Sequence, residues 1–250
     1  MKMSLYVYCL GEGLAGSAFE GLAGVGGATP WVLALGDFAA VVSEASEGPT
    51  EPTELNLLAH NRVNAAALAG STPLPFRFGT RASRERLAEY AGSNRAALAA
   101  ALERVRGRVE MGVKLMEKAA GEGQEAQGEA EGRPEVSAEG AAAVGRGTAF
   151  LLQKRREVLG EEDARRRAEE LAAWLAAGVA GLVREADVRL NPSGAIAVRA
   201  AHLVERVRVA EYRERLRALA AGREGLRLLS SGPWPPYSFS DIGGTMKDER

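Results

Sequence analysis

The apolar pattern opens with Leu5–Leu10, where Tyr6 and Tyr8 alternate with aliphatic neighbours, and it predicts a strand. A Gly- and Ala-rich stretch follows to Thr29. Pro30–Leu35 and Phe38–Glu44 then flank Gly36-Asp37 and predict a hairpin, because glycine tolerates positive φ and aspartate favours turns. Gly48-Pro49-Thr50-Glu51-Pro52-Thr53 interrupts the pattern. Thr50 or Thr53 can cap the helix behind it, with Pro52 tolerated in the first turn. Leu55, Leu58, Ala59, Arg62, Val63 and Ala66 recur at helical spacing up to Gly70. Pro73–Phe78 predicts a short strand closed by Gly79, with Arg77 on the opposite face from Phe76 and Phe78. Two helices are expected next, Arg84–Tyr90 and Asn94–Arg106, with Gly92 ending the first and Ser93 capping the second.

The pattern restarts at Gly107. Val109, Met111, Val113 and Leu115 alternate with polar or small residues and predict a half-buried strand. Residues 119–140 form a Gly/Glu/Ala/Gln tract too poor in bulky apolar groups to offset chain entropy, and a disordered insertion is expected there. A long helix is expected over Thr148–Arg184, its stripe made by Ala164, Ala168, Leu171, Leu175, Val179 and Leu182. Strands Ala186–Leu190 and Ala195–Val204 flank the turn signal Asn191-Pro192-Ser193-Gly194. Helix Arg208–Ala221 and strand Gly225–Ser230 complete the order. The expectation is an α+β chain of two domains. An N-terminal α+β domain covers 1–107, a ferredoxin-like β-α-β-β-α-β domain with a long helix covers 108–239, and a flexible tail covers 240–250.

Composition narrows the function classes. A net charge of -1 gives no electrostatic footprint for nucleic acid. The apolar runs fall far short of the roughly 20 residues that span a membrane, and the start carries no signal-peptide core, so a cytoplasmic protein with no membrane partner is expected. One cysteine, Cys9, and two histidines, His60 and His202, leave too little for a cysteine- or histidine-built metal site.

Gly11-Glu12-Gly13-Leu14-Ala15-Gly16 matches G-x-G-x-x-G behind a strand, with Asp37 at a later strand's end. A nucleotide-dependent oxidoreductase using Gly11–Gly16 is therefore the alternative to weigh. It needs a helix whose N-terminal amides face the phosphates. Gly21, Gly24, Gly26 and Gly27 in the stretch behind the motif each cost a helix about 1 kcal/mol relative to alanine, which argues against one. Cys9 reads as a buried small hydrophobe. His60 reads as a structural hydrogen-bonding residue, and His202 as half of a surface pair with Glu205. The Arg165-Arg166-Arg167 run behind Glu161-Glu162-Asp163 reads as a solvated helix face. No catalytic, cofactor-binding or metal residues are assigned.

Two segments stand apart: Pro73-Leu74-Pro75-Phe76-Arg77-Phe78-Gly79-Thr80 and Gly232-Pro233-Trp234-Pro235-Pro236-Tyr237-Ser238-Phe239. The prolines of the second impose an extended path that cannot donate ladder bonds. An internal strap is expected, outside any ladder, with Trp234, Tyr237 and Phe239 buried and with Phe76, Arg77 and Phe78 as neighbours. Together with Leu5-Tyr6-Val7-Tyr8, Ala40-Val41-Val42-Ser43, His60-Asn61, Val109-Glu110-Met111-Gly112-Val113-Lys114 and Gly147-Thr148-Ala149-Phe150-Leu151-Leu152, these blocks occur in the order of the gas vesicle protein F/L family. The chain resembles that family over nearly its whole length; Cys9 stands where a glycine is usual. The resemblance implies a non-enzymatic accessory or minor structural protein of gas vesicle assembly. Its implied partners are the hydrophobic wall subunit and other gas vesicle accessory proteins, with no cofactor. Arg77, Phe78, Gly79, Glu110, Gly112, Pro233, Trp234, Pro235, Pro236 and Tyr237 are the implied structural or interaction motif.

Overall fold

The computed structural model describes residues 4–46, 48–117, 146–192 and 194–240. The expected disordered insertion and residues 241–250 of the expected tail lie outside the described residues. The chain is an α+β protein built on two antiparallel sheets.

Strand β1 (Leu5–Gly11) is buried at every position and lies inside the first sheet, whose order is β2-β3-β1-β4. Strands β2 (Trp31–Leu35) and β3 (Phe38–Glu44) form the expected hairpin, with Leu35 opposite Phe38 and Gly36 at φ 72. The register of β1 against β3 slips between Val7 and Cys9. Because of that bulge, Leu5, Val7 and Leu10 face one core while Tyr6, Tyr8 and Cys9 face another.

Helix α1 (Glu54–Gly70) covers the tyrosine face. Thr53 caps it by accepting the Asn56 N–H at 3.3 Å, and Pro52 lies just ahead of the cap. Its buried stripe is Ala59, His60, Val63, Asn64, Ala67 and Leu68, whereas Leu55 and Leu58 are 80% and 50% exposed. The stripe is thus rotated from the one the aliphatic spacing suggests, because two polar side chains find buried partners. Helices α2 (Arg84–Ser93) and α3 (Arg95–Val105) cover the other face. Gly92 and Ser93 stay inside α2; Asn94 separates the helices and donates back to the Tyr90 carbonyl at 2.9 Å.

The expected strand Pro73–Phe78 is broken. In this stretch only β4 (Leu74–Pro75) and β5 (Arg81–Ala82) form strands, both paired with β1, and the chain between them turns at Gly79, φ 88. Phe76 therefore packs with the α2–α3 core and Phe78 with the α1 core, on opposite sides of the sheet, while Arg77 is exposed.

The second half follows the expected order: β6 (Arg108–Glu117), α4 (Arg146–Gly178), β7 (Val183–Leu190), β8 (Val198–Glu205), α5 (Val209–Ala221) and β9 (Leu226–Trp234). Its sheet order is β7-β8-β6-β9. Val109, Met111, Val113 and Leu115 of β6 meet Ala168, Leu171, Leu175, Val179 and Leu182 in one core. Helix α4 stops at Gly178, before the expected Arg184, and the chain turns at Gly181, φ 78. Strand β9 runs on through Gly232-Pro233-Trp234, with Trp234 opposite Glu110. The proline segment is therefore inside the ladder up to Trp234, which corrects the expectation of a strap wholly outside it. An edge strand tolerates this, since Pro233 there gives up no bond to an outer neighbour. The two halves share apolar contacts: Leu203 and Phe239 belong to the α2–α3 core, and Leu68 to the β6 core.

Candidate functional site

The residues singled out in sequence meet where the two halves join. From β1, Tyr6 and Tyr8 place their rings 4.8 Å apart. Across from them, α1 brings in His60 and Asn64, one turn apart and therefore on one face. The Tyr6 hydroxyl lies 2.9 Å from His60 Nδ1 and accepts the Gly79 N–H at 3.1 Å. The Asn64 amide donates to His60 Nε2 at 3.0 Å, which leaves the imidazole proton on Nδ1, facing the tyrosine oxygen. Tyr8 pairs with Ser43 at 3.0 Å and accepts the Val25 N–H at 2.8 Å. Phe78 and Tyr237 close the ring of aromatics, 5.7 and 6.3 Å from His60.

The C-terminal segment reaches this junction from β9. Glu110 accepts the Ser238 N–H at 2.7 Å and the Ser238 hydroxyl at 3.1 Å. Phe239 is buried, with the Arg104 guanidinium 5.9 Å over its ring, and Ser240 donates to the Pro75 carbonyl at 3.3 Å. Gly112 leaves room for β9, since a Cβ there would stand 2.7 Å from Ser231 Oγ. Pro235 and Pro236 are buried. Trp234, expected to be the buried anchor, is 42% exposed and donates its indole N–H to Ser231 at 3.3 Å. Phe239 takes the anchoring place instead. Phe78, Gly79 and Tyr237 thus meet around Tyr6 and His60, Glu110 holds the segment through Ser238 and Gly112 lies against Ser231, while Arg77, Pro233 and Trp234 face solvent.

Burial sets the electrostatics. It lowers His60 from its ordinary 6.5 to about 4, pushes the Tyr6, Tyr8 and Tyr237 hydroxyls above their usual range, and raises the Glu110 carboxyl. The Cys9 thiol, fully buried, is pushed up as well. His202 is corrected from a surface pair with Glu205. It is buried, bonded to the Tyr212 hydroxyl at 2.8 Å, and lowered to about 4 by burial. Neutral, hydrogen-bonded groups cut off from water fix strands and helices in place.

Gly11–Gly16 has a different setting. Behind β1 the chain makes only two short 3-10 turns, Gly16–Phe19 and Val25–Gly27, and α1 is the first α-helix. Asp37 sits in the hairpin turn, paired with Arg95 at 2.5 Å. Glu12 and Gly13 line a cleft of about 400 Å³ with Thr72, Arg106, Gly107 and Arg206. Its cations are already engaged: Arg106 with Glu12 and Glu103 at 3.0 and 2.8 Å, Arg206 with the Ser71 and Ala69 carbonyls at 2.9 and 3.3 Å. Among the described residues no His, Cys, Asp and Glu cluster could hold a metal ion, and no helix is long and apolar enough to cross a membrane.

The family model of the gas vesicle synthesis protein GvpL/GvpF matches residues 4–241. The chain belongs to the GvpL/GvpF family. It is 33% identical over 263 residues to gas vesicle protein L of Streptomyces sp. (strain CB03234), covering 95% of this chain and 92% of that protein. Its fold is similar to the crystal structure of the gas vesicle protein GvpF from Anabaena sp. PCC7120, with TM-score 0.77 at 17% identity, covering 99% of this chain and 100% of that one. The GvpF structure from Microcystis aeruginosa gives 0.71 at 16%, covering 96% and 99%. GvpL/GvpF proteins are gas vesicle proteins and not a known enzyme family, so this chain takes part in gas vesicle assembly. Part of the junction was hidden in the sequence: Asn64 and Arg104 lie in no motif, and the blocks that contain Ser43 and Ser238 do not reveal their bonds to Tyr8 and Glu110. The one available signal was the one-turn spacing of His60 and Asn64.

Proposed function

We propose that this GvpL/GvpF protein is a non-enzymatic, cytoplasmic accessory protein that binds the hydrophobic gas vesicle wall subunit and other gas vesicle proteins. The observation that carries the reading is the outer face of α1. Leu55 and Leu58 are exposed there one turn apart, with Leu57 exposed on the flank, on a chain of net charge -1, so burial of apolar surface is the available driving force. The aromatic junction supports α1 from behind: His60 and Asn64 fix its inner face, and this is the role we assign to Phe78, Gly79, Glu110, Gly112, Pro233, Pro235, Pro236 and Tyr237. Arg77 and Trp234, exposed at the rim, are assigned to interaction. We read residues 1–107 and 108–239 as two domains and the second as ferredoxin-like. The strand order β7-β8-β6-β9 with both helices on one face supports that reading.

Co-expression with the wall subunit and pull-down at low and high salt tests the function. The complex should survive high salt and be lost in Leu55→Glu/Leu58→Glu. A complex dissolved by modest salt, or indifferent to that double substitution, refutes binding through the apolar face of α1.

A further inference from the structure

The face of the second sheet turned away from α4 and α5 carries a charge pattern that fold stability does not account for. Arg189 pairs with Arg199 in register, and Arg199 with Lys114, so three cations stand in one transverse row on β7, β8 and β6. Arg227 follows one row along, opposite Met116. Directly opposed side chains in an antiparallel sheet lie about 5 Å apart, and like charges so placed destabilise it. All four are exposed. Arg189 has Asp187 at 3.0 Å; Lys114, Arg199 and Arg227 have no ion-pair partner among the described residues. The next row holds Asp187, Ala201, Gly112 and Ser231; Ala201 packs against the α2–α3 core, which leaves Gly112 and Ser231 as the low floor. Leu229 ends the cationic row and Trp234 stands beyond the floor, each 42% exposed.

We propose that this face docks an acidic amphipathic helix of a partner protein. Three adjacent strands put the outer cations about 10 Å apart, the rise between acidic residues at i and i+7 of a helix, with i+4 between them. The small floor lets a helix approach closely, and Leu229 and Trp234 meet its apolar edge. A nucleic acid or lipid surface suits the face poorly. Asp187 occupies the second row, so a continuous polyanion meets a carboxylate one row from the cations.

The test uses the full chain and a synthetic helix with glutamates at i, i+4 and i+7 and leucines on the adjoining edge, followed by fluorescence anisotropy. Saturable binding is expected, weakened several-fold as salt rises from roughly 50 to 300 mM. Lys114→Gln/Arg199→Gln should weaken it about fivefold or more while raising the melting temperature, because like-charged neighbours are relieved. A lysine-for-glutamate peptide should not bind. No binding of the acidic peptide, binding untouched by the double substitution, or equal binding of duplex DNA or phosphatidylserine vesicles overturns the assignment. The assay contains no wall subunit, so its result is independent of the binding through α1.

Discussion

Lowering the pH from about 7 to about 5 should destabilise this protein more steeply than its surface charges predict, because both histidines are buried in neutral form. Each is held at about 4 in the fold against 6.5 when unfolded. Their displacement is worth about 3 kcal/mol per histidine, fully present above pH 6.5 and lost as pH falls through 4. Between those limits the unfolded chain binds about two more protons than the folded one, so unfolding free energy should fall by about 2–3 kcal/mol per pH unit. Carboxylates act elsewhere: Arg104 holds Glu185 below its usual range, so its stabilising effect is lost at more acid pH, and the raised Glu110 works in the opposite direction. Urea denaturation at a series of pH values, read by tryptophan fluorescence and near-UV circular dichroism, measures the slope. His202→Gln, which removes one titrating group, should roughly halve it. A flat profile between pH 6.5 and 5, or imidazole NMR signals titrating near 6.5 in the folded protein, would show that these rings are open to water and refute the burial reasoning.

Phe239→Ala should cost about 3–5 kcal/mol in equilibrium denaturation, as aromatic deletions from cores do, whereas Trp234→Ala should cost under about 1 kcal/mol. Gly24→Ala should cost about 1–3 kcal/mol, since its Cβ would stand 2.2 Å from the Tyr8 hydroxyl and 2.8 Å from the Ala28 carbonyl; an unchanged melting temperature would refute that close approach. Glu110→Gln keeps an acceptor for Ser238 and should leave stability near the parent's. Glu110→Ala should lose about 1–2 kcal/mol and expose residues 235–240 to limited proteolysis.

Much of the fold was legible because it rests on local rules. The Gly36-Asp37 hairpin, the alternation of β6 and the stripe of α4 each declare themselves within a few residues. What stayed hidden depends on distant partners. His60 and Asn64 face inward on α1 because Tyr6, more than fifty positions away, supplies the bond that makes burial tolerable. His202 is buried because Tyr212 waits on the following helix. The prolines of 232–236 argue against a ladder, yet an outer strand accepts Pro233 and buries Phe239 in place of Trp234. The bulge at Tyr8 that turns Cys9 to the same face as Tyr6 and Tyr8 has no sequence signature at all.

Residues 235–240, the last of the described chain to be synthesised, supply Phe239 to a core otherwise built mainly from residues 5–105 and Tyr237 to the ring around His60. On the ribosome, then, the N-terminal sheet can collapse early but waits for more than a hundred further residues before its packing is complete. During that interval the α2–α3 core lacks its aromatic plug, and the nascent chain depends on whatever holds it in the meantime. Synthesis rate should therefore influence how much of the chain reaches its packed state.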